Sequence, residues 1–405
     1  MESLTRRGFG FAGMGAALAS AGAVRPAGAS NLLNPLTSPR GTASSGGVRL
    51  KQVASVDLRG QGDAFSWHVS TMAWSSDGTR LVAVNGLGNF LNVIDTATWR
   101  LLVRFRIMSS DHRRCFGFSS EGKELIASKR VDPGSSENPP AFSVFEMDTG
   151  RIVRESQLLP ISIPNLYGKP DDITLQQRRS GQKLTVSPDG SYVFINLSAR
   201  ISGTTRWFNY VFGTGDGHLI ATGDNRPFSL PSVGKENYLA GVVTFPSGSL
   251  WTPRQEITIY DLPSFNRRLG FPAHIRGVAS LAWSPDGSRL VSGSSATVPP
   301  REPEPIRVWD SATGTKTAGF LGEFEPVSFV EWHPSGAFFL TKSAKGDENL
   351  RGSLVQLFPS SGGAPLLRHF APDRVVIDGP CFCPRTGRLA WFQQGQILIH
   401  EIQGL

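Results

Sequence analysis

A short phrase written six times along the chain limits what it can fold into more than any other feature. Residues 280–295 read SLAWSPDGSRLVSGSS and residues 71–86 read TMAWSSDGTRLVAVNG. FGFSSEGKELIASK begins at Phe116, KLTVSPDGSYVFINLS at Lys183, FVEWHPSGAFFLTKS at Phe329 and CFCPRTGRLAWFQQ at Cys381. Each copy is an apolar run, a turn of the Ser-Pro-Asp-Gly type, and a second apolar run. The alternating first run reads as a half-buried strand. Pro presets one backbone angle of the turn, Asp bonds the backbone locally, and Gly takes a conformation that other residues resist. The second run returns antiparallel, so each copy predicts a β-hairpin.

The turn glycines are Gly78, Gly122, Gly190, Gly287, Gly336 and Gly387. Most gaps are close to about 50 residues, and the gap from Gly190 to Gly287 is about twice that. The double gap predicts one degenerate copy, with strands near residues 238–245 and 256–262. A regular period of this kind marks a solenoid or a propeller. After residue 30 no glycine-free stretch has a 3.6-residue period, so the chain reads as all-β. Its 405 residues fit one large repeat domain.

The N-terminus is separate. It reads LTRRGFGFAGMGAALASAGAVRPAGAS, with Arg6 and Arg7 paired, Phe9 following, and a weakly apolar Gly/Ala run ending at Arg25 and the small residues Ala27, Gly28 and Ala29. This resembles a twin-arginine export signal cleaved near Ala29. Thr5, Arg6, Arg7 and Phe9 fit that pattern, while Gly10 and Phe11 replace its usual Leu and Lys. The run is too short and glycine-rich for a membrane span, and no other segment is apolar enough to be one. The reading is therefore a signal peptide over 1–29, a flexible Ser/Pro/Gly-rich linker over 30–47, and the folded domain over 48–405. It implies a periplasmic or secreted location.

The whole chain carries a formal charge of +8. Cleavage near Ala29 removes Arg6, Arg7, Arg25 and Glu2 and leaves about +6, modest for this size. No run of five or six like charges occurs, which argues against nucleic acid as a partner. Mild attraction to an anionic envelope polymer or an acidic protein fits the balance. The cysteines are Cys115, Cys381 and Cys383, an odd number that rules out complete pairing. Cys383 aligns with the core positions Trp283 and Trp332, so Cys381 and Cys383 read as small buried hydrophobes. No histidine stands at ligand spacing to them, and no metal or cofactor is expected.

The fullest unit covers residues 273–320. It holds Ala273-His274, the SLAWSPDG hairpin, RLVSGS, and IRVWD ending in Trp309-Asp310. This resembles the WD-repeat β-propeller family, over nearly all of the chain after residue 48. The resemblance implies a buried hydrogen-bond network of a His, a Ser, a Trp and a turn Asp. His274, Ser292 and Trp309 match by position, as structural residues. The Asp is missing, because a longer loop replaces its turn. Most third strands end in an acid: Asp95, Asp148, Asp261, Asp310 and Glu401. Counting units gives seven, and the last is short, with strands near 374–377, 389–392 and 397–402. The resemblance implies that an N-terminal strand completes the last blade, and the alternating VRLKQVASVDL segment, residues 48–58, is expected to be that strand. The fold expectation is an all-β, seven-bladed propeller of four-stranded antiparallel blades, its last blade closed by an N-terminal strand.

Five successive connections between second and third strands are enlarged: residues 129–141, 198–207, 245–256, 294–305 and 343–353. The first and last blades keep the short NGLGN and QQGQ. The connection 157–182 is also long and opens on the same face. One face is thus built up, and its loops carry Arg130, Arg206, Trp207, Trp251, Arg254, Arg301, Lys345 and Arg351. Arg and Trp are enriched at binding hot spots. Neutral surface insertion is the competing explanation.

No H-E-x-x-H, G-x-S-x-G, P-loop or dinucleotide fingerprint is present. The GTGDG stretch at residues 213–217 is a turn between strands. The expectation is an exported, non-catalytic platform that binds a protein or an envelope component through the built-up face. The alternatives are a periplasmic propeller enzyme, lactonase-like or quinone-dependent, with its site at the channel mouth of that face, and a structural subunit of a redox complex.

Overall fold

A computed structural model of the chain describes residues 42–43, 47–58, 69–85, 90–106, 116–127, 142–156, 183–201, 204–223, 228–245, 254–275, 277–295, 303–321, 326–346, 351–371 and 376–405. All of the architecture below belongs to the compact unit Gly41–Leu405. Arg6 and Arg7 lie outside the described residues.

The chain forms seven antiparallel blades in sequence order. The first six occupy residues 69–106, 116–155, 183–222, 228–272, 278–320 and 327–371. The seventh takes three strands from residues 377–403 and its outer strand, Arg49–Asp57, from the N-terminus. Arg49 pairs with Gln403 and Asp57 with Gln396 across this clasp. The first strands of successive blades ring the centre, and Ile377–Phe382 packs on Val69–Trp74 to join the last blade to the first. The degenerate copy is blade 4, with paired strands Tyr238–Phe245 and Arg254–Asp261.

Seven apolar clusters fill the junctions between blades, one per junction among the described residues. One register position recurs in all seven. Ile94, Phe145, Phe212, Tyr260, Trp309, Phe358 and His400 pair with Leu81, Leu125, Val193, Leu239, Leu290, Phe339 and Leu389. Each is buried. Burying a large aromatic there contributes about 2–3 kcal/mol, so this layer holds neighbouring sheets together. In five of these seven places an acid follows (Asp95, Glu146, Asp261, Asp310 and Glu401), and in blades 1 and 5 it serves the next turn. Asp95 accepts from the N–H groups of Ala97 and Thr98, and Asp310 from those of Ala312 and Thr313.

Two local expectations are corrected. The first strand of blade 7 is Ile377–Phe382 rather than 374–377. Pro380 lies in the register shift between Asp378 and Cys381 of this inner edge strand, where the N–H that proline lacks would have no ladder partner. Phe382, not Cys383, occupies the register of Trp283 and Trp332, since it pairs with Leu389 as they pair with Leu290 and Phe339. Cys383 begins the turn instead, its N–H bonded to Arg388 O. Cys381 and Cys383 are free and buried, and burial pushes the Cys381 thiol well up.

Candidate binding face

Antiparallel four-stranded blades have two ends. The first-to-second and third-to-fourth turns lie at one end. The second-to-third connections and the links between blades lie at the other.

The turn end is knitted to itself. In the first tight turns of blades 1, 3 and 5 an Asp (Asp77, Asp189 or Asp286) closes on its own backbone. Asp286 accepts from the Ser284 and Ser288 hydroxyls and the Ser288 N–H, which draw its carboxyl down to about 2. Between turns, Arg80 bridges Asp95 of its own blade and Asp148 of the next at 3.0 and 2.8 Å. Ser76 donates to Ser120 O, and Asn237 to Asp189. Arg289 donates to Gly336 O and lies over the Trp332 ring at 4.8 Å. Three tryptophans at the ends of first strands repeat one bond: each donates its indole N–H to the first-strand carbonyl of the preceding blade. Trp74 donates to Cys381, Trp283 to Ser232 and Trp332 to Ala282. These polar groups are spent on cohesion.

The opposite end is built differently. Among the described residues, two of the five enlarged connections continue their strands as extended hairpin arms. In blade 3, Tyr192–Ile201 and Thr204–Gly213 pair residue by residue out to Ile201 and Thr204. In blade 6, Phe338–Gly346 and Arg351–Pro359 pair out to Gly346 and Arg351. In blade 1 the same two strands span six residues each. At about 3.3 Å per residue, each arm carries ordered backbone roughly one further hairpin turn beyond the blade. Their polar, basic sequences read as loops, but alternation with Ile, Thr and Trp suits a pleated ribbon.

Arg206 and Trp207 therefore lie on the blade 3 arm, opposite Ala199 and Ser198, with Trp207 half-buried. Lys345 and Arg351 lie on the blade 6 arm, opposite Gly352 and Gly346. Arg254 begins the third strand of blade 4, opposite Phe245. These five share one end of the propeller on three blades. Arg130, Trp251 and Arg301 lie outside the described residues.

The end of the blade 5 connection is fixed in place. Glu304 meets Lys316 at 2.5 Å and Arg307 at 3.7 Å. A side chain at position 319 would collide with that carboxylate, so Gly319 makes the space for it. Arg307 also donates to Ala273 O. Elsewhere at this end, third-strand side chains cap the next blade's first strand. Gln255 accepts from Val278 N–H at 2.9 Å, and Ser353 from Ile377 N–H at 3.1 Å. Lys342 and Asp378 pair across blades 6 and 7 at 3.1 Å, their side chains 15% and 13% exposed. Sequence reasoning missed the Gln255–Val278, Ser353–Ile377 and Lys342–Asp378 contacts because each joins residues of different repeats.

Three links between blades present aliphatic side chains to solvent at this end: Ile275, Leu321 and Val376, 72%, 79% and 50% exposed. They follow blades 4, 5 and 6.

His274, Ser292 and Trp309 are brought together inside blade 5. Trp309 Nε1 donates to Ser292 Oγ at 2.8 Å, and Ser292 Oγ lies 2.9 Å from His274 Nε2. His274 Nδ1 is buried without a partner, at the place where the resemblance would put an Asp. Burial and the nearby Arg307 lower the His274 pKa to about 3, so the ring is neutral. Among the described residues, no group of three or more His, Cys, Asp or Glu side chains is placed to hold a metal ion. Among them, too, no helix is long and apolar enough to cross a membrane.

The family model for the WD domain, G-beta repeat, matches residues 266–298. The match covers the outer strand of blade 4 and the first hairpin of blade 5, including His274 and Ser292. With seven four-stranded blades in a ring, it supports the WD-repeat propeller family. No curated protein matches the chain.

Proposed function

We propose that this WD-repeat-like propeller is a non-catalytic binding platform that takes a protein partner, or an anionic envelope polymer, on the end bearing the hairpin arms. One observation carries the reading: the two ends of the ring are unlike. Both ends carry blade-to-blade polar bonds, but the turn end keeps short turns, while the other end extends two ordered arms and exposes Ile275, Leu321 and Val376. An ordered ribbon loses little entropy on binding, so contacts made by Trp207, Arg206, Lys345 and Arg351 translate efficiently into affinity. Arg254 begins the third strand of blade 4 at this end, and the sequence puts Arg130, Trp251 and Arg301 in further second-to-third connections. The paired arginines at Arg6 and Arg7 support twin-arginine export and a periplasmic or secreted site of action.

The test is a Trp207→Ala, Trp251→Ala double variant in a quantitative binding assay with the partner recovered from the host's envelope. Weakening by about tenfold or more, with an unchanged circular dichroism spectrum, is the expected result. Full affinity in that variant would count against this face. A stoichiometric cofactor in the native mass spectrum of the purified protein would favour an enzyme instead.

A further inference from the structure

The outer strand of each blade is an edge, and unpaired edges invite pairing with other chains. Six of the seven outer ladders are interrupted by one unpaired residue: Val53, Leu102, Val153, Ile220, Arg268 and Thr317. Such a bulge twists an edge out of pairing geometry. Blade 6 differs. Its outer strand, Leu367–Ala371, pairs with Ser353–Leu357 over five residues without a break. The irregularity falls just before the strand, where Leu366 N–H bonds Leu357 O. That leaves a straight edge, and it is the edge that carries a fifth strand. Thr42 and Ala43 pair with His369 and Arg368, antiparallel.

We propose that the outer edge of blade 6 is a strand-acceptor site, shielded by Thr42–Ala43, which pairs with the same edge of a second copy of this chain when that cover is removed. Among the described residues the cover pairs with two of the five edge residues, His369 and Arg368. The edge is also complementary to itself. Antiparallel pairing centred on His369 sets Leu367 opposite Ala371 of the second copy and Arg368 opposite Phe370. No like charges face each other, and the arginine meets an aromatic ring. Such a contact is two-fold symmetric and closes as a dimer.

The test uses the full-length chain with Thr42→Pro and Ala43→Pro, which removes both N–H donors from the cover and leaves the Arg49–Asp57 clasp untouched. Sedimentation velocity across a concentration series should show a dimer whose dissociation constant is at least about tenfold below that of the unaltered chain. Adding Phe370→Arg places Arg opposite Arg and should abolish the dimer. Adding Arg368→Glu to that variant places Glu opposite Arg and should restore it. A proline variant that stays monomeric at all concentrations, with a native circular dichroism spectrum, overturns the proposal. A dimer indifferent to Phe370→Arg overturns it too, because the contact then lies elsewhere. A dimer of the unaltered chain that disappears with the prolines would mean exchange of the N-terminal strand, and would also overturn it.

Discussion

Trp74 donates its indole N–H to the carbonyl oxygen of Cys381 at 3.3 Å, across 307 residues of sequence and the junction where the ring closes. Trp283 and Trp332 make the same bond to the blade before theirs, over 51 and 50 residues. Replacing Trp74 by Phe keeps most of the apolar contact and leaves a buried carbonyl unpaired. The expected cost is about 1–3 kcal/mol, read as a lower urea midpoint with an unchanged slope. A midpoint equal to that of the unaltered protein would show that the bond contributes nothing.

The N-terminal clasp gives a second expectation. Arg49–Asp57 covers the edge of the final strand, Gln396–Gln403, with Val56 and Leu58 in the core between blades 7 and 1. Val56→Asp buries a charge in that core, at a cost of several kcal/mol. The variant should elute as soluble aggregate in size-exclusion chromatography, because the uncovered strand seeks other partners. Val53→Asp on the same strand, at a bulged and exposed position, should elute as the unaltered protein does.

Turn glycines separate two costs. Gly190 and Gly336 have φ of 69° and 68°, where a side chain adds about 1–2 kcal/mol of strain. An added Cβ at Gly336 meets nothing closer than 3.9 Å, but at Gly190 it falls 2.5 Å from the Ser120 backbone nitrogen of the preceding blade. Gly336→Ala should cost the strain alone. Gly190→Ala should cost a further 1–3 kcal/mol or so from overpacking. Equal melting temperatures for the two variants would contradict the tight packing of turns on the closed end.

Acid should destabilise the ring over a defined window. Burial and the neighbouring His369 lower the His400 pKa to about 4, and burial with Arg307 lowers that of His274 to about 3. Both start from 6.5 in the unfolded chain. Below 6.5 the unfolded state takes up protons that the folded state refuses. The stabilisation is therefore complete above about 6.5 and declines as pH falls toward 4, by about 1.4 kcal/mol per pH unit for each histidine at most. Urea midpoints at several pH values between 7.5 and 4.5 check this, and His400→Gln should flatten the slope.

The repeated hairpin made most of this fold legible. Turn glycines and alternating strands give the number of repeats from local chemistry, while the resemblance to WD-repeat propellers supplied the closure by an N-terminal strand. Blade 4 could be placed because the spacing demanded a unit there, although its turn signal is lost. What escaped reading was either non-local or locally ambiguous. The Trp74–Cys381 and Lys342–Asp378 contacts join different repeats. The arm around Arg206 and Trp207 is too polar for a core strand, so it passed for a loop. The first strand of blade 7 lies a few residues later than its expected place, at Ile377–Phe382 rather than 374–377.

The most direct measurement is cross-linking mass spectrometry, with a lysine-reactive reagent, of the protein bound to its partner from the host envelope. Cross-links from the partner to Lys345 on the blade 6 arm, with none to Lys123 and Lys235 at the turn end, are the expected result. Cross-links concentrated on Lys123 and Lys235 would place the partner on the opposite end and contradict the account.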